Sequence, residues 1–134
     1  SPSPGATNTT SANDPLLLNN TGNKNYTEGA VQINSTYLVG ETDSNMKIFA
    51  SNFTVAILTG SSKECGVSTN QSTILNVSEF QSVFNGTLAR GNYSVNDGLT
   101  GQRNLYFCIR EIGSELTSQS YSTASGGSWT AKVV

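Results

Sequence analysis

A chain of 134 residues with a net charge of −2 is the size of one domain and long enough to bury a core. Its seven Lys and Arg are scattered and its pI is near 4.9, which argues against nucleic-acid binding. No apolar run exceeds Leu105–Ile109, too short for a membrane span, and 35% hydrophobic residues with so small a net charge argue against full disorder.

The start, Ser1-Pro2-Ser3-Pro4, reads as the head of a mature chain whose leader has been removed. Residues 1–25 read as an extended or disordered tail. Pro, Ser, Thr, Asn and Gly dominate it, and its one apolar cluster is Leu16-Leu17-Leu18 after Asp14-Pro15. From Ala30 the pattern has period two, the signature of a strand with one buried face. Val31, Ile33, Tyr37 and Val39 share a face that Ser35 interrupts, Gly40 ends the run, and Glu41–Asn45 reads as a turn. Residues 46–60 place Phe49, Phe53, Val55 and Ile57 on one face and Ile48, Ala50, Ala56 and Leu58 on the other. They form one long strand or two with a bend near Ser51-Asn52.

Residues 72–77 predict another short strand. The segment from Ser78 to Gly86 reads two ways. Ser78 and Gln81 make a capping-box pattern, with Phe80, Val83 and Phe84 on one helical face; the alternative is a strand ending in an Asn85-Gly86 turn. Leu88–Val95 has the form L-x-x-G-x-Y-x-V, which resembles a turn-and-strand segment of extracellular β-sandwich modules. Asn96-Asp97-Gly98 predicts a hairpin turn before a strand with Tyr106, Cys108 and Arg110 opposite Phe107, Ile109 and Glu111. Tyr106, two before Cys108, resembles the tyrosine corner of immunoglobulin domains, yet Cys65 is only 43 positions upstream and no Trp lies between the cysteines. Ser128–Val134 predicts a last strand with Trp129, Ala131 and Val133. The expected fold is therefore all-β, a single antiparallel β-sandwich over 26–134, immunoglobulin-like or jelly-roll-like, with the extended tail of 1–25.

Three signals point to an extracellular, cell-surface location. Cys65 and Cys108 are the only cysteines and pair into a disulfide without leaving a thiol over; closing that loop is worth about 4 kcal/mol in the chain-entropy model. Asn-x-Ser/Thr sequons stand at Asn8, Asn19, Asn25, Asn34, Asn52, Asn70, Asn76, Asn85 and Asn92, nine of 15 asparagines, where chance predicts about four. Several are expected to carry N-glycans. Ser, Thr and Asn fill 50 of 134 positions while charged residues are 12%, so the surface is polar without being charged. Such a surface is expected to keep its stability between pH 7 and pH 3, which thermal melts at the two values check.

Catalytic and metal chemistry find little support. Without a single His, hydrolytic triads lack their usual base. Ser44–Lys47 matches S-x-x-K without the companion motifs. Glu111 and Glu115 make an acid pair only on a helix, and Glu111 falls in a predicted strand. Glu41, Asp43 and Asn45 open like a calcium loop, but Met46 replaces its Gly and no late Glu follows. No catalytic residue, cofactor or metal is expected.

In size, composition and the tail Pro15-Leu16-Leu17-Leu18 ahead of a β domain, the chain resembles donor-strand subunits of extracellular filaments, such as archaeal threads and bundling pili. The resemblance implies a homopolymer in which the N-terminal segment, with Leu16, Leu17 and Leu18 as docking residues, inserts into a neighbouring copy. The tail departs from that pattern in lacking a long alternating run, part of which residues 20–39 could supply. The other expectation is a secreted immunoglobulin-like recognition domain binding protein or carbohydrate, its tail packed on its own sheet. Its contact face would be the sequon-free stretch from Val95 to Val134. Tyr121 and Trp129 are the aromatic candidates for its site, with core packing the favoured place for Trp129.

Overall fold

The computed structural model describes residues 7–9, 15–57, 72–91 and 100–134. Within them the chain is all-β: β1 (Thr7–Thr9), β2 (Leu16–Asn19), β3 (Val31–Asn34), β4 (Leu38–Gly40), β5 (Lys47–Ile48), β6 (Phe53–Ala56), β7 (Thr73–Ile74), β8 (Phe80–Ser82), β9 (Gln102–Glu111), β10 (Tyr121–Ser122) and β11 (Thr130–Val133). The strands form three antiparallel sheets packed as a β-sandwich on one core. One sheet runs β1-β9-β6-β7 with β2 also on β9, one runs β11-β3-β8, and one runs β10-β4-β5. A lone parallel bridge joins Ser35 to Val77.

The core draws on all three sheets. Val31 and Ile33 of β3, Ile48 of β5, Phe53 and Val55 of β6, and Leu105 of β9 are buried together with Leu75, Val83, Leu88, Ile112 and Leu116. β9 is the axis of the largest sheet. Its predicted alternation holds: Leu105, Phe107 and Ile109 face this core, while Tyr106 and Cys108 pack with Ala56 on the opposite face. β6 follows the same alternation, with Phe53, Val55 and Ile57 inward.

The strand expected somewhere in 46–60 is two strands. Ala50–Asn52 forms a 3-10 turn, the bend anticipated near Ser51-Asn52. The Asn52 side chain accepts from the Phe49 backbone N–H at 3.1 Å and fixes the turn. Because the turn breaks the period of two, the facing read across it is corrected. Ile48 is in the core, whereas Phe49 is exposed. The same happens between β3 and β4. Ser35 is buried with its hydroxyl donating to the Asn76 carbonyl at 3.1 Å. Past it Val39 stays buried as read, but Leu38 also joins the core packing, and Tyr37 instead carries the Lys47 ammonium 4.7 Å from its ring centre.

The segment after Ser78 resolves as a strand. Phe80–Ser82 pairs with β3 from Asn34↔Phe80 to Gln32↔Ser82, and Asn85 turns the chain with φ 52°, so the capping-box helix does not form. A helix there would leave the β3 edge unpaired, and an Asn in the left-handed region before Gly is the cheaper way to stop a strand. The C-terminal strand is as expected: β11 pairs with β3 from Thr130↔Asn34 to Val133↔Val31. The last residues of the L-x-x-G-x-Y-x-V segment and the Asn96-Asp97-Gly98 turn lie outside the described residues. No helix among the described residues is long and apolar enough to cross a membrane.

Candidate functional site

The N-terminal segment is where sequence and fold meet most pointedly. β2 lies within the span read as a tail, yet it is paired. Leu16↔Leu105, Leu17↔Asn104, Leu18↔Arg103 and Asn19↔Gln102 run antiparallel along β9, starting where β6 stops at Tyr106. β1 adds Thr7↔Glu111 and Thr9↔Ile109. Of the three docking leucines, Leu18 packs against the core, while Leu16 and Leu17 remain 42% and 48% exposed. Among the described residues β2 pairs with β9 alone, so its hold is chiefly main-chain pairing plus one side chain.

The segment is closed by a second device. Asn20 is only 8% exposed. Its backbone N–H donates to the Gly101 carbonyl at 2.8 Å. Its side-chain amide donates to the carbonyls of Lys24 and Ala89, each at 2.8 Å, and its side-chain oxygen accepts from the Gly22 N–H at 3.0 Å. Two glycines make room for it. A Cβ on Gly91 would fall 1.4 Å from the Asn20 carbonyl oxygen, and one on Gly101, at φ +67°, would fall 2.3 Å from the Gly91 Cα. Arg103 ties the same corner together, donating to the Thr87 carbonyl at 2.8 Å and its hydroxyl at 2.9 Å. Sequence reading stopped at the leucines and missed Asn20. The available signal was an Asn-Asn-Thr-Gly turn composition directly after an apolar run.

The sequon asparagines scatter over the surface. Asn19, Asn25, Asn76 and Asn85 are exposed, and Asn34 and Asn52 are half-buried. Asn8 falls in β1, and Asn70 and Asn92 lie outside the described residues. Several already hold the backbone through their side-chain oxygen: Asn25 accepts from the Arg90 N–H at 2.7 Å, and Asn76 from the Val77 N–H at 2.9 Å. Asn34 points away from the core on β3, and its sequon threonine, Thr36, is buried and donates to the Gly126 carbonyl at 2.6 Å. Cys108 is disulfide-bonded; Cys65, the chain's other cysteine and its expected partner, lies outside the described residues.

The remaining candidates separate. Tyr106 makes no tyrosine corner: its hydroxyl meets the Asn104 side chain at 3.4 Å instead of the backbone. Trp129 sits in the core margin, edge-on to Phe53 with ring centres 5.1 Å apart, and donates to the Thr36 carbonyl at 3.0 Å. Ser44 is exposed in a turn, and Lys47 is over Tyr37. The Asp43 carboxylate accepts from the Asn45 backbone at 3.0 Å, which closes that turn. Glu111 ends β9 and Glu115 follows in the next loop, both exposed. They line a cleft of about 430 Å3 with Lys47, Asn52 and Ser114. A neighbouring cleft of about 610 Å3 is lined by Leu38, Ile109, Ile112 and Leu116 on its apolar part and by the polar run from Thr117 to Ser120, with Tyr121 at its end.

Comparison with protein-family models, curated proteins and solved structures finds no match.

Proposed function

We propose that this chain is a structural subunit of an extracellular surface filament, polymerising head-to-tail when its N-terminal segment pairs with β9 of a neighbouring copy. One observation carries the reading: β2 adds to β9 through main-chain pairing, with two of its three leucines half exposed. Such pairing is the same whether the strand comes from its own chain or another, and an element shared that way between identical copies exchanges at low cost. Exchange that does not close on itself yields a fibre. The exposed loop of residues 21–25 is the hinge, and a sugar-coated, disulfide-tied, weakly charged surface suits a filament outside the cell. Other copies of the chain and covalent N-glycans are its partners.

Mixing two single variants tests this. One carries Leu17→Cys and the other Asn104→Cys, positions directly opposed in the pairing. After joint unfolding and refolding under mild oxidation, exchange gives disulfide-linked pairs of the two chains, and the unmodified protein forms fibres under the electron microscope. Absence of mixed pairs, with the protein dispersed as single-domain particles, overturns the reading.

The second reading, a secreted recognition domain, is favoured by the larger cleft, which sets apolar side chains beside the polar run Thr117–Ser120. Its lining residues include no sequon asparagine, and Ile109 to Tyr121 belong to the sequon-free stretch. A glycan and protein binding screen is expected to register Tyr121→Ala as a loss of binding if that reading holds.

A further inference from the structure

Leu16-Leu17-Leu18 poses a problem that the fold must solve. Strand side chains alternate between faces, so register is ordinarily set by which residues are apolar, and a slip of one position is punished by exposing them. Three leucines in a row remove that penalty. Shifted by one toward the C-terminus of β2, Leu17 takes the place of Leu18 against the core, and Leu16 takes the place of Leu17. The leucines cannot state their own register.

We propose that the pocket formed by Gly91, Gly101 and the Ala89 carbonyl is a register lock whose key is Asn20. The pocket sets which residue of the N-terminal strand faces which residue of β9, for whichever copy supplies the strand. Asn20 is buried, and of its three side-chain hydrogen bonds the one to the Ala89 carbonyl crosses to a distant segment, while those with Gly22 and Lys24, two and four positions on, hold the side chain in place to make it. Gly91 lets the backbone of the segment come close enough for that bond, since the Asn20 carbonyl occupies the volume a Gly91 side chain would need. The neighbouring Asn19 is chemically identical, and in the slipped register it would enter the same pocket. Two features oppose that. Asn19 begins a sequon and is exposed, so a glycan there would be too large for the pocket. A slip also moves Asn20 out to where Thr21 stands, and pulls the chain against the Tyr26–Leu88 bridge.

The lock does not depend on the filament reading, because it acts equally on a strand folded back on its own chain. Two pairs of cysteines in single chains read the register. Leu17→Cys with Asn104→Cys joins opposed positions in the observed register. Leu16→Cys with Asn104→Cys joins opposed positions only after a slip of one. With Asn20 in place, the first pair closes nearly completely and the second at background. Adding Asn20→Ala is expected to raise closure of the slip pair at least about tenfold at the expense of the first. Asn20→Asp keeps the oxygen that meets Gly22 and loses both amide donors, so it serves where Asn20→Ala fails to fold. Unchanged closure of both pairs in a folded Asn20→Ala or Asn20→Asp chain overturns the lock.

Discussion

β6 and β2 both pair with β9, four residues each, and they are held by opposite means. β6 is buried at every position, between β9 and β7, with Phe53 and Val55 in the main core and Thr54 and Ala56 covered on the other face. β2 is exposed at three of its four positions. Side-chain packing fixes β6, since moving it by one residue would exchange two buried faces of different shape. Backbone pairing and one terminal asparagine fix β2. The same strand of the same sheet therefore presents a permanent partner on one stretch and, on the filament reading, an exchangeable one on the next.

Breaking the permanent side should cost most. Phe53→Ala removes an aromatic ring from the core and from its edge-on contact with Trp129; a loss of about 3–5 kcal/mol is expected in denaturant melts. Replacing both Cys65 and Cys108 with Ser should lower stability by about 2–5 kcal/mol, read as a lower melting temperature, equal to that of the unmodified chain in reductant. On the exchangeable side, Asn20→Ala leaves the carbonyls of Lys24 and Ala89 without their donor; about 1–3 kcal/mol is expected, with hydrogen exchange of the β2 amides accelerated before those of β6. The smallest effect is reserved for Leu17→Ala, within about 0.5 kcal/mol in the same melts because the side chain is already half in water. A Leu17→Ala cost near that of Phe53→Ala would erase the contrast between the two strands.

Much of the permanent side was legible in the sequence. Alternation of β-branched and aromatic residues gave β3, β6 and β9 with their inward faces, because a residue period of two is the direct imprint of a half-buried sheet; β11 was legible as a strand, though its Ala131 and Val133 are exposed. Legibility failed wherever a short irregular segment resets that period. The 3-10 turn at Ala50–Asn52 sends Ile48 inward and Phe49 outward, and the buried Ser35 does the same ahead of Leu38. Such resets depend on particular hydrogen bonds, local from Phe49 to Asn52 and distant from Ser35 to Asn76, which periodicity does not carry. The Ser78–Gly86 segment was ambiguous for a related reason: with Phe80, Val83 and Phe84 it satisfies both periods locally, and the open β3 edge decided between them. At the candidate site the leucines were visible as an apolar island in a polar tail. Asn20 was not, since one asparagine among 15 gains its meaning only from the two glycines, at 91 and 101, that fold around it.

The chain's only tryptophan stands where the C-terminal strand begins, edge-on to Phe53 of β6 and 5.8 Å from the Phe107 ring of β9. Its indole therefore touches the two strands whose union forms the heart of the largest sheet, while it is itself attached to the neighbouring one through β11. Light emitted by that single ring reports the assembly of the sandwich without any added label. Its colour and intensity will follow the joining of the sheets. The protein thus carries an intrinsic optical gauge of its own folding.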